Sequence, residues 1–204
     1  MPQPLDLIVG LGNPGPEYLL TRHNAGFWFV DALADRQGAR FKRDKKLLGE
    51  TAEVGISGQR LRLLKPQTYM NDSGRSVAAA LAYYKIAVEH LLVVYDEIDL
   101  PPGRAKLKLG GGHAGHNGIR SIVEHVGTNF WRLRLGVGHP GPGRKQEVIG
   151  HVLNRAPADE EKLILETIGD ALEIVPVFLE QGAERATHRL HSRNAGDDGA
   201  EPRE

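Results

Sequence analysis

The chain contains no cysteine. That excludes a disulfide framework, a thiolate nucleophile and any metal site built on sulfur. It also has no net charge, with 26 Lys and Arg balanced by 26 Asp and Glu. No global field draws nucleic acid to it, so any basic surface has to be local. Long apolar runs are missing too, and none approaches the ~20 residues needed to span a bilayer. The N-terminus lacks a basic region followed by an apolar core, so no signal peptide is apparent. The serine-nucleophile pattern G-x-S-x-G and the zinc pattern H-E-x-x-H are both absent. What remains is ordinary: 204 residues, 40% hydrophobic and 25% charged, suited to one domain with a full core. The expectation is a soluble, cytoplasmic protein.

Leu5–Val9 reads as a buried strand, followed by a loop from Gly10 to His23. A helix is predicted from Asn24, with Asn24 near its cap, Phe27, Val30 and Ala34 on one face, and Gly38 as the stop. Leu47–Val54 and Arg60–Lys65, separated by Gly58-Gln59, read as a hairpin. Around it lie Arg36, Arg40, Lys42, Arg43, Lys45, Lys46, Arg60, Arg62 and Lys65. Such a set is either a solvated face or a patch that meets phosphates.

Pro66–Gly74 is a turn into a helix that Asn71 or Ser73 could cap, with Val77, Leu81 and Tyr84 as its apolar stripe. Leu91–Tyr95 is the most strand-like run and ends in Asp96-Glu97-Ile98-Asp99. Arg104–Leu109 alternates basic and apolar residues, as a half-exposed strand does. Gly110–Gly118 is a flexible loop leading into a helix that carries Ile119, Ile122, Val123 and Val126, with Asn117 as its predicted N-cap. Arg132–Val137 alternates again, with Arg132 and Arg134 on one face. His139–Gly143 is a loop. A single long helix is predicted over 158–182, kinked at Pro176. Residues 193–204 are polar and Gly-rich and are expected to be a disordered tail. Strands alternating with helices predict an α/β three-layer domain over residues 1–192. Its sheet is mostly parallel, but the hairpin makes it mixed.

Gly10, Gly12 and Gly15 spell G-x-G-x-x-G, the dinucleotide fingerprint. In that motif the third glycine opens a helix whose N-terminus holds pyrophosphate. Here Pro14 and Pro16 flank that glycine, and helical periodicity starts only near Asn24. No second strand delivers an acid about 20 residues on. Those features argue against a nucleotide site.

Functional sites in α/β sheets gather at the carboxyl ends of strands. Four segments bring polar residues there: Asn13 and His23, then Asn71, then Asp96, then His116 and Asn117. An imidazole partnered by a carboxylate suits general-base work. Amide side chains can stabilise a developing oxyanion. Each residue also has a structural reading, since Asn71 and Asn117 could be helix caps, His23 a loop histidine and Asp96 a turn cap. His113 and His116 are three apart, but they sit on a glycine loop with no accompanying ligand pattern, so metal binding is not expected.

Five segments together resemble one family. They are Gly10-Leu11-Gly12-Asn13-Pro14-Gly15, Thr21-Arg22-His23-Asn24-Ala25-Gly26, Lys65–Gly74, Asp96–Pro101 and Gly110–Gly118. Their order and spacing are similar to those of bacterial-type peptidyl-tRNA hydrolases, across about residues 5–190. Ala114 departs from the family's usual glycine. The resemblance implies hydrolysis of the ester joining a peptide to the terminal ribose of tRNA, by a monomeric α/β enzyme without cofactor or metal. It implies His23 as catalytic base, Asp96 as its orienting partner, and Asn13, Asn71 and Asn117 as holders of peptide, water or oxyanion. Tyr18, Met70 and His116 fall at cleft-lining positions. Lys108 and Arg134 match positions that grip the tRNA 5′ phosphate, in agreement with the basic faces of their strands. Two other classes stay open on the residues alone: a non-catalytic RNA-binding protein on the same scaffold, and a nucleotide-dependent enzyme.

Overall fold

A computed structural model describes residues 4–141 and 145–195. Seven strands form one sheet: β1 (Leu7–Gly10), β2 (Lys42–Asp44), β3 (Gly49–Ile56), β4 (Gln59–Pro66), β5 (Leu91–Glu97), β6 (Ala105–Leu109) and β7 (Trp131–Gly136). Their spatial order is β2-β3-β4-β1-β5-β7-β6. The four central strands β4, β1, β5 and β7 run parallel. Antiparallel neighbours complete both sides, β3 and β2 beyond β4 and β6 beyond β7. The hairpin is therefore what makes the sheet mixed, as its sequence predicts.

Seven helices are described: α1 (Ala25–Arg36), α2 (Ser73–Tyr84), α3 (Asn117–Val126), α4 (Lys145–Val152), α5 (Ala158–Leu172), α6 (Ile174–Gln181) and α7 (Ala183–Ala195). Alternation along the strands sends side chains to two separate cores. Ile8, Leu63, Val94 and Leu133 pack with α1, α5, α6 and α7 through Phe29, Ile164, Phe178 and Leu190. Leu7, Val9, Leu64 and Val93 pack with α2 and α3 through Val77, Leu81, Ile119 and Ile122. That gives three layers.

Two expectations need correction. The helix over 158–182 is two helices, α5 and α6, that meet at Glu173. A proline ring clashes with the carbonyl four residues earlier, and four residues before Pro176 is Leu172, where α5 ends. Pro176 then sits in the first turn of α6, where its missing N–H costs nothing. Helices α4 and α7 carry weak sequence signals. Helix α4 is eight residues with Gly150 inside it, and among its described side chains α7 buries Ala183, Ala186 and Leu190 alone. Residues 193–195 belong to α7. The rest of the polar tail, from 196 on, lies outside the described residues, as do positions 142–143 of the loop expected at 139–143.

The G-x-G-x-x-G stretch serves packing. A Cβ on Gly10 would lie 2.2 Å from the Gly26 carbonyl oxygen, and one on Gly26 would lie 2.3 Å from that of Val94. Gly12 lies against the Phe27 ring, 2.6 Å from where its Cβ would be. These contacts seat the start of α1 directly on the carboxyl ends of β1 and β5. His23 just before α1 and Asp96 near the end of β5 are thereby brought together.

Candidate active site

His23 lies in a single 3₁₀ turn, Arg22–Asn24, that runs into α1. Its ring is buried, and Nδ1 lies 2.9 Å from both carboxylate oxygens of Asp96. On the other side of Asp96, His116 Nε2 lies 2.9 Å from Oδ1. One fully buried carboxylate thus serves two imidazoles, whose rings stand 5.0 Å apart.

Backbone geometry fixes the tautomer of one ring. His116 is the N-cap of α3, and its Nδ1 accepts from the N–H groups of Gly118 at 3.2 Å and Ile119 at 3.3 Å. A nitrogen that accepts carries no proton, so the proton of the neutral ring is on Nε2 and is donated to Asp96. This corrects the cap assignment. His116 caps α3, and Asn117 is the helix's first residue, its Oδ1 accepting from Arg120 Nη2. Asn24 holds the N-cap position of α1 as expected, though without a side-chain capping bond, while Asp72, and not Asn71 or Ser73, holds that of α2. Asn24 spends its side chain elsewhere, and Ser73 donates its hydroxyl to the Met70 carbonyl at 2.8 Å.

The electrostatics follow from this arrangement. Burial works against ionisation of Asp96, yet the two imidazoles outweigh it and hold the carboxyl well below its usual range. For His23, burial opposes the charged ring, but the Asp96 charge and hydrogen bond prevail and raise its pKa above 6.5.

Asn13 is positioned by two neighbours. Asn24 clamps its backbone, accepting its N–H at 2.8 Å and donating to its carbonyl at 3.0 Å. The Met70 N–H donates to Asn13 Oδ1 at 2.7 Å. The oxygen end is thereby taken, and the NH₂ group of Asn13 remains as a donor beside His23. In the sequence Asn24 reads as a cap alone. Only its distance from Asn13 in three dimensions reveals its role.

Two cavities meet at this cluster. One, of about 480 Å³, is lined by His23, Asp96, His116, Asn117, Arg120 and the apolar side chains of α4. The other, of about 180 Å³, is lined by Asn13, His23, Tyr69, Met70, Asn71 and Asn117. His23 and Asn117 border both. Helix α4 supplies Ile149 and Val152 to both cavities. It is tied to the turn that carries His23 by Arg22, a buried residue. Arg22 Nη1 donates to the carbonyls of His151 (3.0 Å), Asn154 (3.4 Å) and Arg155 (3.3 Å), and Nη2 to Glu160 at 3.0 Å.

Tyr18 is one step removed from the cavities, edge-on to Tyr69 with centroids 6.5 Å apart. Ala114, in the loop beside His116, has φ of +46°, a left-handed conformation that glycine adopts without the Cβ penalty.

Lys106 pairs with Arg134 and Lys108 with Arg132 across β6 and β7, so all four project from one face. Lys108 is exposed, and Arg134 is half-buried with Nε on Glu97 at 2.8 Å. Arg132 differs from the exposed basic residue its alternation predicts. It is 1% exposed, and its two terminal nitrogens donate to the carbonyls of Gly111 and Gly112, each at 2.6 Å. It anchors the glycine loop from below.

The peptidyl-tRNA hydrolase family model matches residues 7–197. The chain belongs to the peptidyl-tRNA hydrolase family. It is 49% identical to the peptidyl-tRNA hydrolase of Tolumonas auensis, over 96% of this chain and 99% of that one. It is also 49% identical to that of Escherichia fergusonii, over 94% and 98%. The crystal structure of peptidyl-tRNA hydrolase from Acinetobacter baumannii superposes with a TM-score of 0.88 at 50% identity, covering 91% of this chain and 94% of that one. The family's name places the chemistry in ester hydrolysis. A buried imidazole–carboxylate pair flanked by amide donors is a site suited to it.

Proposed function

We propose that this protein hydrolyses the ester between a peptide and the terminal ribose of tRNA, with water activated by His23. The observation that carries this reading is the buried contact of His23 Nδ1 with both Asp96 oxygens at 2.9 Å. It puts the proton of the neutral ring on Nδ1, so Nε2 is the basic nitrogen. Nε2 takes a proton from water as the oxygen attacks the ester carbonyl. The imidazolium that forms is stabilised by Asp96, and it returns the proton to the departing ribose oxygen. His116 holds the carboxylate from its other side.

The amide NH₂ of Asn13 and the side chains of Asn71 and Asn117 are the donors for the developing oxyanion and the peptide backbone. Met70 lines the same cavity, and Tyr18 braces Tyr69 at its margin. Lys108 and Arg134 bind a phosphate of the RNA, giving register without reading sequence.

The three side chains His23, Asp96 and His116 are close enough to suggest a metal site. Coordination through His116 Nε2 would move that ring's proton to Nδ1, against two backbone donors. It would therefore cost both bonds that cap α3, and the reaction is assigned to the imidazole alone. Incubating the protein with peptidyl-tRNA and excess EDTA and measuring peptide release tests the reading. Undiminished release is the expected result. No release, with or without added divalent metal, would overturn the esterase assignment, and release only with metal would overturn the metal-free mechanism.

A further inference from the structure

A third depression, wide and open, adjoins the smaller cavity beside His23. It is lined by Gly15, Arg43, Gln67, Thr68, Tyr69 and Asp72, and it shares Tyr69 and Asn71 with that cavity. The two are therefore continuous around the Tyr69 and Asn71 side chains. Tyr69 is 62% exposed, so its ring is open to a ligand. The Thr68 hydroxyl is buried with no hydrogen-bond partner among the described residues. Such an orphan is costly in a native fold.

Charge is distributed unevenly here. Between residues 40 and 46 stand Arg40, Lys42, Arg43, Lys45 and Lys46, all exposed, against Asp44. Asp44 is occupied with the N–H groups of Lys46 and Leu47. Of the acids nearest Arg43, Glu50 pairs with Lys65 at 3.3 Å and Asp72 with Arg75 at 2.9 Å. Glu17 lies over Gly15 at the rim. Arg43 has no ion-pair partner among the described residues.

The sheet supplies the direction. Arg43 is on β2, one edge strand, and Lys108 is on β6, the other. Six inter-strand gaps of about 4.8 Å put the two edges roughly 30 Å apart. An ester has two sides. With the RNA phosphates on the β6 and β7 side, as proposed above, the acyl side extends toward β2. Three extended residues cover roughly 10 Å.

We propose that this depression is a distal subsite for the peptide moiety, and that Arg43 makes it favour an acidic side chain two or three residues from the ester. The proposal rests on the esterase reading. Peptide backbone groups meet Gln67, the Tyr69 ring covers an apolar stem, and Arg43 meets a carboxylate at the open rim.

The test compares peptidyl-tRNAs that share one tRNA and differ only in having Glu, Gln or Lys as the third residue from the ester. The readout is the ratio of kcat/KM for Glu over Lys within each enzyme. The wild-type ratio is expected to be about threefold to fivefold at low salt, as for an exposed ion pair. It should fall to about one in Arg43→Gln and invert in Arg43→Glu. A ratio that is the same in wild type and Arg43→Glu overturns the proposal. So does an equal loss on all three substrates, which would mark Arg43 as an RNA contact. Wild-type protein that releases none of the peptides would refute the esterase reading itself, a different outcome from an unchanged ratio.

Discussion

Replacing Asp96 by Asn tests the shared carboxylate at its centre. The carboxylate accepts from His23 Nδ1 and His116 Nε2. An amide has only one acceptor oxygen. His116 cannot yield, because the two backbone donors at its Nδ1 keep its proton on Nε2. If the Asn oxygen serves His116, its NH₂ faces His23, and Nδ1 must accept. The His23 proton then sits on Nε2, where no base remains. If the oxygen serves His23, the NH₂ meets the His116 N–H and the network is broken on that side.

General-base assistance is worth about 10²- to 10⁴-fold, so kcat should fall by that amount, or about 2.7–5.4 kcal/mol at 1.36 kcal/mol per tenfold. The pH profile should move as well. Burial lowers the His23 pKa while the Asp96 charge raises it, and the second effect prevails in the wild type. The acid limb of wild-type activity should therefore lie above the ordinary imidazole value of 6.5. In Asp96→Asn burial acts alone, so residual activity should persist to lower pH.

Stability follows the same linkage. The raised His23 pKa contributes stability that is complete below 6.5 and fades as pH rises through the folded value. The depressed Asp96 pKa contributes above its unfolded value near 3.8 and is lost as pH falls through the folded one. Single-turnover peptide release across pH, with thermal melts, reads all three effects. A kcat within threefold of wild type and an unmoved acid limb would refute the reasoning.

Three other perturbations probe separate parts of the account. Arg22→Ala removes the donor to three carbonyls at the end of α4. It should cost about 2–3 kcal/mol, lowering Tm by roughly 4–12 °C, and raise KM more than it lowers kcat; an unchanged Tm would count against the anchor. Gly26→Ala places a methyl 2.3 Å from the Val94 carbonyl oxygen. Overpacking of this kind costs about 1–3 kcal/mol or more, and urea melts showing wild-type stability would contradict the close approach. The double variant Lys108→Ala, Arg134→Ala should raise KM about tenfold for tRNA with a 5′ phosphate, given charge-assisted bonds worth about 1.5–3 kcal/mol. It should affect tRNA lacking that phosphate much less, and equal losses on both would remove the phosphate assignment.

The fold was legible where periodicity was strong. The alternation in β6 and β7 and the buried run of β5 read directly from the residue order. So did the need for a hairpin before α2, because turn residues separate two apolar runs there. The break at Glu173 was not, since a proline can kink a helix or start a new one, and only packing decides. Helix α7 was not legible because it buries three apolar residues among many polar ones.

For the site, His23, Asp96, Asn13 and Met70 could be named from their motifs, and they do converge. His116 was legible as a neighbour but not as the second donor to Asp96. That role depends on its capping bond to α3, which is a matter of backbone direction. Arg22 and Asn24 flank His23 in sequence yet act on segments far from it in the chain. Arg132 shows the reverse case, because its alternation gave the right face but could not reveal that the glycine loop covers it.

The central claim is that His23 performs the proton transfer while binding lies elsewhere. The most direct measurement is single-turnover peptide release by His23→Ala, alongside its affinity for tRNA. The account predicts release slowed at least 10²-fold with tRNA affinity within about threefold of wild type. Release at the wild-type rate by a folded His23→Ala protein would contradict it.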